Sequence, residues 1–251
     1  MELPENKKIY FASDNHLGLP HSEASRVREK HFVSWLEEVR KDAAAIYLLG
    51  DLFDFWIEYK TVVPKGFVRV LGKLAELSDS GIPITFFTGN HDLWMGDYFQ
   101  KELNITVYRQ PITLTIGTTR FLIGHGDGLG PGDKGYKLMK KLFTNPFLQW
   151  LFRWLHPDLG FRLGQYLSKK NKLISGEEDV KFLGEDKEWL VTYSQKKLKD
   201  EHFDYFVFGH RHLPLEIELN QNSKYINLGD WITHNTYAVF DGTTLNLKTW
   251  K

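Results

Sequence analysis

The chain has 251 residues, 42% of them hydrophobic, and equal numbers of basic and acidic side chains, 32 of each. This length supports one sizeable core within a single large domain, and the balanced charge gives no global attraction to nucleic acid or membrane. The sequence contains no Cys, which excludes disulfides and thiolate metal ligands. It has no signal-peptide core and no run of about 18 uncharged apolar residues. We therefore expect a soluble intracellular protein.

Strand-like and helix-like segments alternate over the first half of the chain. Apolar runs at 9–13, 46–50 and 84–88 have the length of buried strands. Between them, apolar residues recur at helical spacing over 27–39 and 67–77. This alternation predicts a βαβαβ unit, which is a sheet with helices packed on it.

Short strand patterns at 225–228, 237–240 and 245–247 end the chain, separated by turn residues that predict antiparallel pairing. Together with the βαβαβ unit, they predict an α/β fold of the two-sheet αββα sandwich type, formed by residues 1–251 as a single domain.

Residues 128–200 interrupt this scheme with a Gly-rich turn followed by helical patterns. Within 134–172, nine basic residues and one acidic residue give a net charge of about +8. Apolar side chains in the same stretch have the spacing of one helix face, at Phe143, Phe147, Trp150, Leu151 and Trp154. We expect 128–200 to form a helical lid inserted in the domain. The alternative is an ordinary helical cap whose aromatic residues pack on the core.

A cluster of Asp, His or Asn follows each of five short apolar runs. The clusters are Asp14-Asn15-His16, Asp51-Leu52-Phe53-Asp54, Asn90-His91-Asp92, His125-Gly126-Asp127 and His210-Arg211-His212. An apolar run of this length with turn residues behind it predicts a buried strand, and side chains at such strand ends converge on one edge of a sheet. An Asp behind a single strand is often only a turn former or a helix cap. Five such clusters in one chain predict a two-metal enzyme.

The clusters supply the ligands that a pair of divalent ions requires. Two ions about 3.5–4 Å apart can hold both the attacking and the leaving oxygen of a phosphoryl transfer. Asp14 and His16 are close enough in sequence to reach one ion, and Asp51 can bridge two ions because a carboxylate has two oxygens. The other candidate ligands are Asn90, His125, His210 and His212. This mixture of nitrogen and oxygen favours Mn, Fe or Zn over Ca or Mg.

The remaining histidines do not follow apolar runs of this kind. We interpret them as surface or packing residues; they are His21, His31, His156, His202 and His234.

The order Asp-x-His, Gly-Asp-x-x-Asp, Gly-Asn-His-Asp, Gly-His-Gly-Asp, Gly-His-x-His resembles that of the calcineurin-like metallophosphoesterases, over residues 9–212. The resemblance implies that Asp14, His16, Asp51 and His212 hold one metal. It implies that Asp51, Asn90, His125 and His210 hold the other. It also implies that His91 lies beside the metals as a general acid or a phosphate contact, and that Asp92 orients it.

Other segments resemble the UDP-2,3-diacylglucosamine hydrolase branch of this family; they are 125–127, 133–136, 146–152 and 229–231. This resemblance implies Mn-dependent cleavage of the pyrophosphate of UDP-2,3-diacylglucosamine to UMP and 2,3-diacylglucosamine 1-phosphate, a step of lipid A biosynthesis, with the lid receiving the acyl chains. The substrate-binding residues implied are Asn90, His91, Asp133, Tyr136, Lys169, Lys170 and His210. The best-known members of the branch have Arg where this chain has His91.

The expected partners are a lipid-linked nucleotide sugar and an anionic membrane surface, with no nucleic acid and no obligate protein partner. The expected location is cytoplasmic, with peripheral association to the inner membrane. Two alternatives stay open: a phosphodiesterase or phosphatase for a soluble nucleotide or phosphoprotein, and a non-catalytic scaffold. Some relatives with this fold have lost metal ligands and act as scaffolds, whereas no ligand of the pattern is missing here.

Overall fold

The computed structural model of the chain describes residues 1–130, 134–175, 182 and 184–251, without the side chains of residues 134–135, 168–175 and 186. The strands are β1 Lys8–Ala12, β2 Ala43–Leu48, β3 Ile84–Phe87, β4 Thr106–Tyr108, β5 Ile112–Ile116, β6 Thr119–Gly124, β7 Tyr205–Phe208, β8 Pro214–Asn220, β9 Ser223–Leu228, β10 Thr236–Phe240 and β11 Leu245–Thr249. The helices are α1 Ser22–Val39, α2 Val68–Asp79, α3 Tyr98–Glu102, α4 Lys134–Phe143, α5 Pro146–Phe152, α6 Pro157–Ser175 and α7 Trp189–Leu198, and Glu185–Lys187 forms a 3₁₀ turn.

The strands form two mixed sheets. The first has the order β11-β10-β1-β2-β3-β4, in which β1 to β4 run parallel. The second has the order β5-β6-β7-β9-β8, in which β6, β7 and β9 run parallel. The predicted βαβαβ unit is confirmed as β1-α1-β2-α2-β3.

The C-terminal strands divide between the two sheets. The predicted antiparallel pairing is confirmed for β10 and β11. It was wrong for β9 as a partner of β10 and β11, because β9 lies in the second sheet, parallel to β7 and antiparallel to β8. The reason is burial, because Tyr225, Ile226 and Leu228 are fully buried and β9 has apolar partners on both of its faces.

Three apolar layers hold the sandwich together. Phe32 and Trp35 of α1 and Leu74 of α2 cover the outer face of the first sheet. Phe11 and Phe121 lie among the side chains that fill the space between the sheets, and their rings stack 6.1 Å apart. On the outer face of the second sheet, residues of α7 form the third layer. Burial of one such side chain contributes about 1.5–3 kcal/mol. The predicted αββα sandwich is therefore confirmed.

The stretch 143–154 does not form one continuous helix, so the prediction of a single helix face was wrong. Helix α4 ends at Phe143, and α5 begins at Pro146, which has no N–H to continue the preceding helix. The side chain of Asn145 caps α5 by accepting the N–H groups of Phe147 and Leu148 at 2.9 and 3.2 Å. Trp154 lies in the turn that follows α5.

We call α4, α5 and α6 the lid helices. Trp94 joins them to the β3 side of the first sheet, because its indole N–H donates to the carbonyl of Phe143 at 2.7 Å. Helix α6 lies against the loop after β2. A Cβ on Gly164 would be only 2.0 Å from the ring of Phe55, so a larger residue here would displace that ring or the helix. In the described parts of the chain, no helix is both long enough and apolar enough to span a bilayer.

Candidate metal centre

The candidate ligands follow β1, β2, β3, β6 and β7, and their backbones share an unusual conformation. Five of them have positive φ: Asp14 at 57°, His16 at 44°, Asp51 at 53°, His210 at 71° and His212 at 54°. Outside glycine this conformation costs about 1–3 kcal/mol per residue and persists only where the surrounding structure enforces it. Such residues concentrate at functional sites.

Hydrogen bonds between the loops enforce this conformation. The N–H of Asp14 donates to the carbonyl of Gly50 at 3.0 Å, and the N–H of His16 donates to the carbonyl of Asp51 at 2.9 Å. Gly89 allows a further close approach, since a Cβ there would lie 2.2 Å from Oδ1 of Asp51. The loops after β1, β2 and β3 therefore form one rigid unit.

Two carboxylates of the centre each accept a backbone N–H with one oxygen, while the other oxygen makes no hydrogen bond. Oδ2 of Asp14 accepts the N–H of His210 at 2.9 Å, and Oδ1 of Asp51 accepts the N–H of His91 at 2.8 Å. Their second oxygens, Oδ1 of Asp14 and Oδ2 of Asp51, are buried and have no hydrogen-bond partner. A buried, unpartnered carboxylate oxygen is costly unless a cation lies beside it.

The free oxygens point at imidazole nitrogens. Oδ2 of Asp51 lies 3.3 Å from Nε2 of His125 and 3.6 Å from Nε2 of His16. Oδ1 of Asp14 lies 3.5 Å from Nε2 of His212. A mixture of carboxylate oxygens and imidazole nitrogens facing one another is the ligand set that divalent transition metals bind.

The tautomers of these imidazoles suit metal binding. Nδ1 of His125 lies 2.7 Å from the carbonyl of Leu49, which can only accept, so Nδ1 holds a proton and Nε2 is the nitrogen that would bind a metal. Nε2 of His16 and Nε2 of His212 are 3.2 Å apart. Two lone pairs at that distance repel each other unless they share a proton or a cation.

The potential ligands fall into three groups that share members. Asp14, His16 and His212 form one group, Asp51, His125 and His210 form another, and His16, Asp51 and His91 form a third that links the two. Oδ1 of Asn90 lies 3.1 Å from Nε2 of His125 and joins the second group. All seven sequence-predicted ligands thus lie together, and none of the five other histidines belongs to a ligand group among the described residues.

A family model described as calcineurin-like phosphoesterase matches residues 7–214 of the chain. The chain belongs to the calcineurin-like phosphoesterase family. A UDP-2,3-diacylglucosamine hydrolase of Porphyromonas gingivalis is 42% identical to this phosphoesterase, covering 96% of this chain and 97% of the relative. Hydrolases of the same name from Vibrio parahaemolyticus and Neisseria meningitidis serogroup A are each 30% identical, covering 90% and 92% of this chain and 91% and 92% of the relatives.

In this phosphoesterase, two carboxylates outside the ligand set face the outer nitrogens of ligand histidines. Oδ1 of Asp54 lies 3.4 Å from Nδ1 of His16, and Oδ2 of Asp230 lies 3.5 Å from Nδ1 of His212. A carboxylate behind a ligand histidine fixes its tautomer and ring orientation. The motifs containing Asp54 and Asp230 were recognised in the sequence, but neither residue was given a role.

We expect Asp230→Asn to weaken metal binding by about 10–100-fold, because the amide cannot hold the His212 tautomer as the carboxylate does. Metal content after dialysis against buffers of graded Mn²⁺ concentration measures the effect. Asp241→Asn is the matched control, since Asp241 also accepts backbone N–H groups, from Thr243 and Thr244, but in an exposed turn. Equal metal affinity in both variants would contradict this role of Asp230.

His91 lies next to the ligands, with its ring 4.6 Å from that of His16. Its Nδ1 is 2.8 Å from the carbonyl of Asp54, which fixes the proton on Nδ1. Asp92 was expected to orient this ring, but its carboxylate instead accepts the N–H groups of Gly89 and Leu52 at 2.6 and 3.1 Å. The contact to the His91 ring comes from Asp54, and Asp92 ties the loops after β2 and β3 together.

The expected substrate-binding residues of the lid are only partly described. Tyr136 donates to Oδ2 of Asp127 at 2.5 Å, and its ring lies 6.4 Å from that of His210. Lys140 also contacts Oδ2 of Asp127, at 2.5 Å, so α4 lies beside the loop that follows β6. Asp133 lies outside the described residues, as do the side chains of Lys169 and Lys170.

The pKa shifts in the centre show that its buried carboxylates favour a positive charge beside them. Burial by itself raises the pKa of Asp14, but His16, His212 and His125 outweigh it and lower the pKa to about 2. Burial lowers the pKa of His125, but Asp51 and Asp14 outweigh it and raise the pKa to about 10. The carboxylates therefore attract a positive charge to this position.

Two other groups of the centre have pKa values dominated by burial. Burial, together with the charge of His125, lowers the pKa of His210 to about 3, so its imidazole is neutral. Burial and the nearby Asp51 raise the pKa of Asp92 to about 7. A neutral imidazole at position 210 is the form that binds metal.

Arg28 was not recognised as a site residue from the sequence. It lies inside α1, is buried, and donates from Nη1 to the carbonyls of Asn15, His16 and Leu19 at 3.1, 2.9 and 3.1 Å. It thereby holds the loop that follows β1. No sequence signal marks it, because its partners are backbone carbonyls and an Arg within a helix usually faces solvent.

Proposed function

We propose that this phosphoesterase hydrolyses the pyrophosphate of UDP-2,3-diacylglucosamine, releasing UMP and 2,3-diacylglucosamine 1-phosphate. The observation that carries the proposal is a full set of ligands for two ions beside a lid whose apolar side chains are exposed. The relatives that carry the name of this hydrolase, and that match over nearly the whole chain, support the same substrate. The reaction adds one water across a P–O–P linkage, so that each product keeps one phosphate.

Asp14, His16, Asp51 and His212 would hold one divalent ion, and Asp51, Asn90, His125 and His210 would hold the second. Such ions polarise the phosphate and make a water nucleophilic at neutral pH. Mn²⁺ suits the nitrogen and oxygen ligands, as Fe and Zn also do. The protein fixes the directions of the ligand side chains through the hydrogen bonds between the loops and through the histidine tautomers.

His91 is proposed to contact the phosphate that is cleaved. Its Nδ1 lies 2.8 Å from the carbonyl of Asp54, and its ring lies beside His16 and Asp51, where the ions would hold the phosphate. Burial lowers the pKa of His91, and the charge of a pyrophosphate beside the ring would oppose this shift and favour the imidazolium form, which donates hydrogen bonds to phosphate oxygens. The leaving group is itself a phosphate and is stable as an anion, so it needs a contact for its charge more than a proton.

The lid carries a large exposed apolar surface. It consists of Leu138, Leu142, Phe147, Trp150, Leu151, Trp154, Leu155, Leu159, Leu163, Tyr166 and Leu167. Phe147 is 65% exposed, Trp154 is 74% exposed, and Trp150 lies between them with ring distances of 5.9 and 5.8 Å. These rings do not pack into the core, which supports a lid rather than an ordinary cap. Large exposed apolar patches mark sites that bind lipids or partners.

We propose that this surface receives the acyl chains and contacts the membrane that supplies them. Each buried CH₂ group contributes about 0.8 kcal/mol, so even part of an acyl chain adds substantially to binding. Lys137, Lys141 and Arg162 are exposed on the same helices and would attract anionic headgroups. A cytoplasmic protein bound peripherally to the inner membrane is the location that fits these features.

The proposed insertion within the single domain of residues 1–251 covers 128–200. It has two structural parts in the described chain. The lid helices α4 to α6 carry the apolar surface, whereas α7 covers the outer face of the second sheet through Leu190 and Val191. The insertion thus begins shortly after His125 and ends before β7, the strand that leads to His210.

The substrate proposal is tested by comparing kcat/KM for UDP-2,3-diacylglucosamine with that for the same UDP-sugar without acyl chains, both with Mn²⁺. We expect the acylated substrate to be strongly preferred. His91, in place of the Arg of the best-known branch members, is the residue found in general metallophosphoesterases. Preference for the unacylated sugar would therefore leave a soluble-nucleotide phosphodiesterase as the function.

Replacing Phe147 and Trp150 by Ser should raise KM for the acylated substrate, because the apolar contact with the acyl chains is lost. Cleavage of bis(p-nitrophenyl) phosphate should stay nearly unchanged, since the ligands are untouched. Val27→Ser is the control, because Val27 is 70% exposed on α1, away from the lid. Loss of both activities in the folded lid variant would show that these rings serve the centre and not the lipid.

A further inference from the structure

A buried ion pair connects the loop of His210 and His212 to the N-cap residue of α7. Glu188 is 1% exposed and accepts from Nε and Nη2 of Arg211, each at 2.9 Å. Arg211 stands between the two histidines in the chain, so the bidentate bond acts directly on the segment that carries them.

Trp189, the next residue after Glu188, contacts the same segment. Its ring stacks on the imidazole of His210 at 5.6 Å and 15° between planes, and the guanidinium of Arg211 lies 5.9 Å from its ring centre. Glu188 and Trp189, at the start of α7, therefore contact two consecutive residues of the ligand loop, one through an ion pair and one through its ring.

The loop has a conformation that needs such support. His210 and His212 both have positive φ, and they belong to different ligand groups. A small rotation of the segment therefore changes the geometry at both ion positions. A strained backbone of this kind persists only where neighbouring contacts define it.

A contribution to folding stability does not explain why the Glu188–Arg211 ion pair is buried. Replacing a buried ion pair by apolar residues of similar volume is often neutral or stabilising, so burial of Glu188 and Arg211 points to a positional role. An Arg close to two cations is also electrostatically unfavourable unless an adjacent carboxylate neutralises it. Glu188 supplies that carboxylate.

We propose that Glu188 and Trp189 are positioning residues of the metal centre, which set the directions of the His210 and His212 imidazoles through Arg211 and through ring stacking. Because both lie where the 128–200 segment returns to the second sheet, they also connect the end of that segment to the ligands. The inference rests on the two-ion centre proposed above, and it does not depend on the identity of the substrate.

The test is metal binding by the metal-free protein. Titration of Glu188→Gln with Co²⁺, followed by visible absorption, should show a changed ligand-field spectrum and about 10–100-fold weaker binding, the range found when groups behind metal ligands are lost. Glu201→Gln is the matched control, because Glu201 also pairs with an arginine, Arg120, but at the exposed ends of β6 and β7 opposite the ligands. A wild-type spectrum and affinity in Glu188→Gln would overturn the proposal.

A double variant separates positioning from the effect of an unpaired charge. In Glu188→Leu/Arg211→Met both charges are absent, so thermal unfolding should return toward the wild-type temperature while Co²⁺ affinity stays reduced. Recovery of full affinity in the double variant would show that only the unpaired arginine mattered, and would also overturn the proposal. If Glu188→Gln does not fold, the double variant and Trp189→Leu provide the same measurement.

These outcomes are distinguishable from failure of the substrate assignment. If wild-type protein binds two Co²⁺ ions but leaves UDP-2,3-diacylglucosamine intact, the proposed substrate is wrong, whereas the effect of Glu188→Gln on metal affinity still decides the role of Glu188.

Discussion

Replacing Asp51 by Ala is expected to abolish hydrolysis and to lower the bound metal below two ions per chain. Its free oxygen, Oδ2, lies 3.6 Å from Nε2 of His16 and 3.3 Å from Nε2 of His125, which belong to different ligand groups. Loss of one oxyanion-hole donor typically costs about 10²–10³-fold in kcat. Loss of a ligand shared by both ions should cost more than that.

Elemental analysis of the dialysed Asp51→Ala variant, together with its kcat, checks this expectation. The other oxygen of Asp51 also accepts the N–H of His91, so circular dichroism is needed to show that the variant is folded. Asp79→Ala, at the exposed end of α2, is the control for metal lost during purification and dialysis. Two ions per chain in a folded Asp51→Ala variant would overturn its assignment as the bridge.

Replacing His91 by Ala should lower kcat by about 10²–10⁴-fold, the usual contribution of a group that exchanges a proton with the reacting centre or steadies it. Metal content should stay at the wild-type level. His91 has its own anchor, the carbonyl of Asp54, and its backbone N–H bond to Asp51 remains in the variant. Parallel measurement of kcat and of metal per chain separates the two effects. A parallel fall in both would make His91 a ligand.

A second substitution at the same position distinguishes the two roles open to His91. Arg stays protonated at any working pH and cannot act as a general acid, but it binds phosphate through several N–H groups. His91→Arg should therefore keep much more activity than His91→Ala if the residue contacts the phosphate. Equal activity of the two variants would favour proton transfer from His91.

The ligand set was predictable because its members follow strands that the sequence marks clearly. Asp14, Asp51 and Asn90 each stand behind a run of buried residues, and parallel strands bring their carboxyl ends to the same edge. His125 and His210 follow neighbouring parallel strands of the other sheet for the same reason. At these positions the local sequence pattern and the sheet topology predict the same location for the ligands.

The supporting residues were less visible in the sequence. Arg28 acts on three backbone carbonyls, and Glu188 contacts Arg211 from 23 residues away, so neither contact leaves a periodic or spaced pattern. The Asn145-Pro146 step divides α4 from α5, and the spacing of apolar residues in this stretch does not reveal it. Long-range contacts and helix boundaries depend on features that hydrophobic periodicity does not contain.

Product analysis in H₂¹⁸O tests the central claim most directly. Metal-free protein is given Mn²⁺ and UDP-2,3-diacylglucosamine, and the products are analysed by mass spectrometry. We expect UMP and 2,3-diacylglucosamine 1-phosphate in equal amounts, one ¹⁸O atom in one of the two phosphates, and no turnover in the absence of metal. Release of UDP, or an intact substrate under conditions where bis(p-nitrophenyl) phosphate is cleaved, would contradict the account.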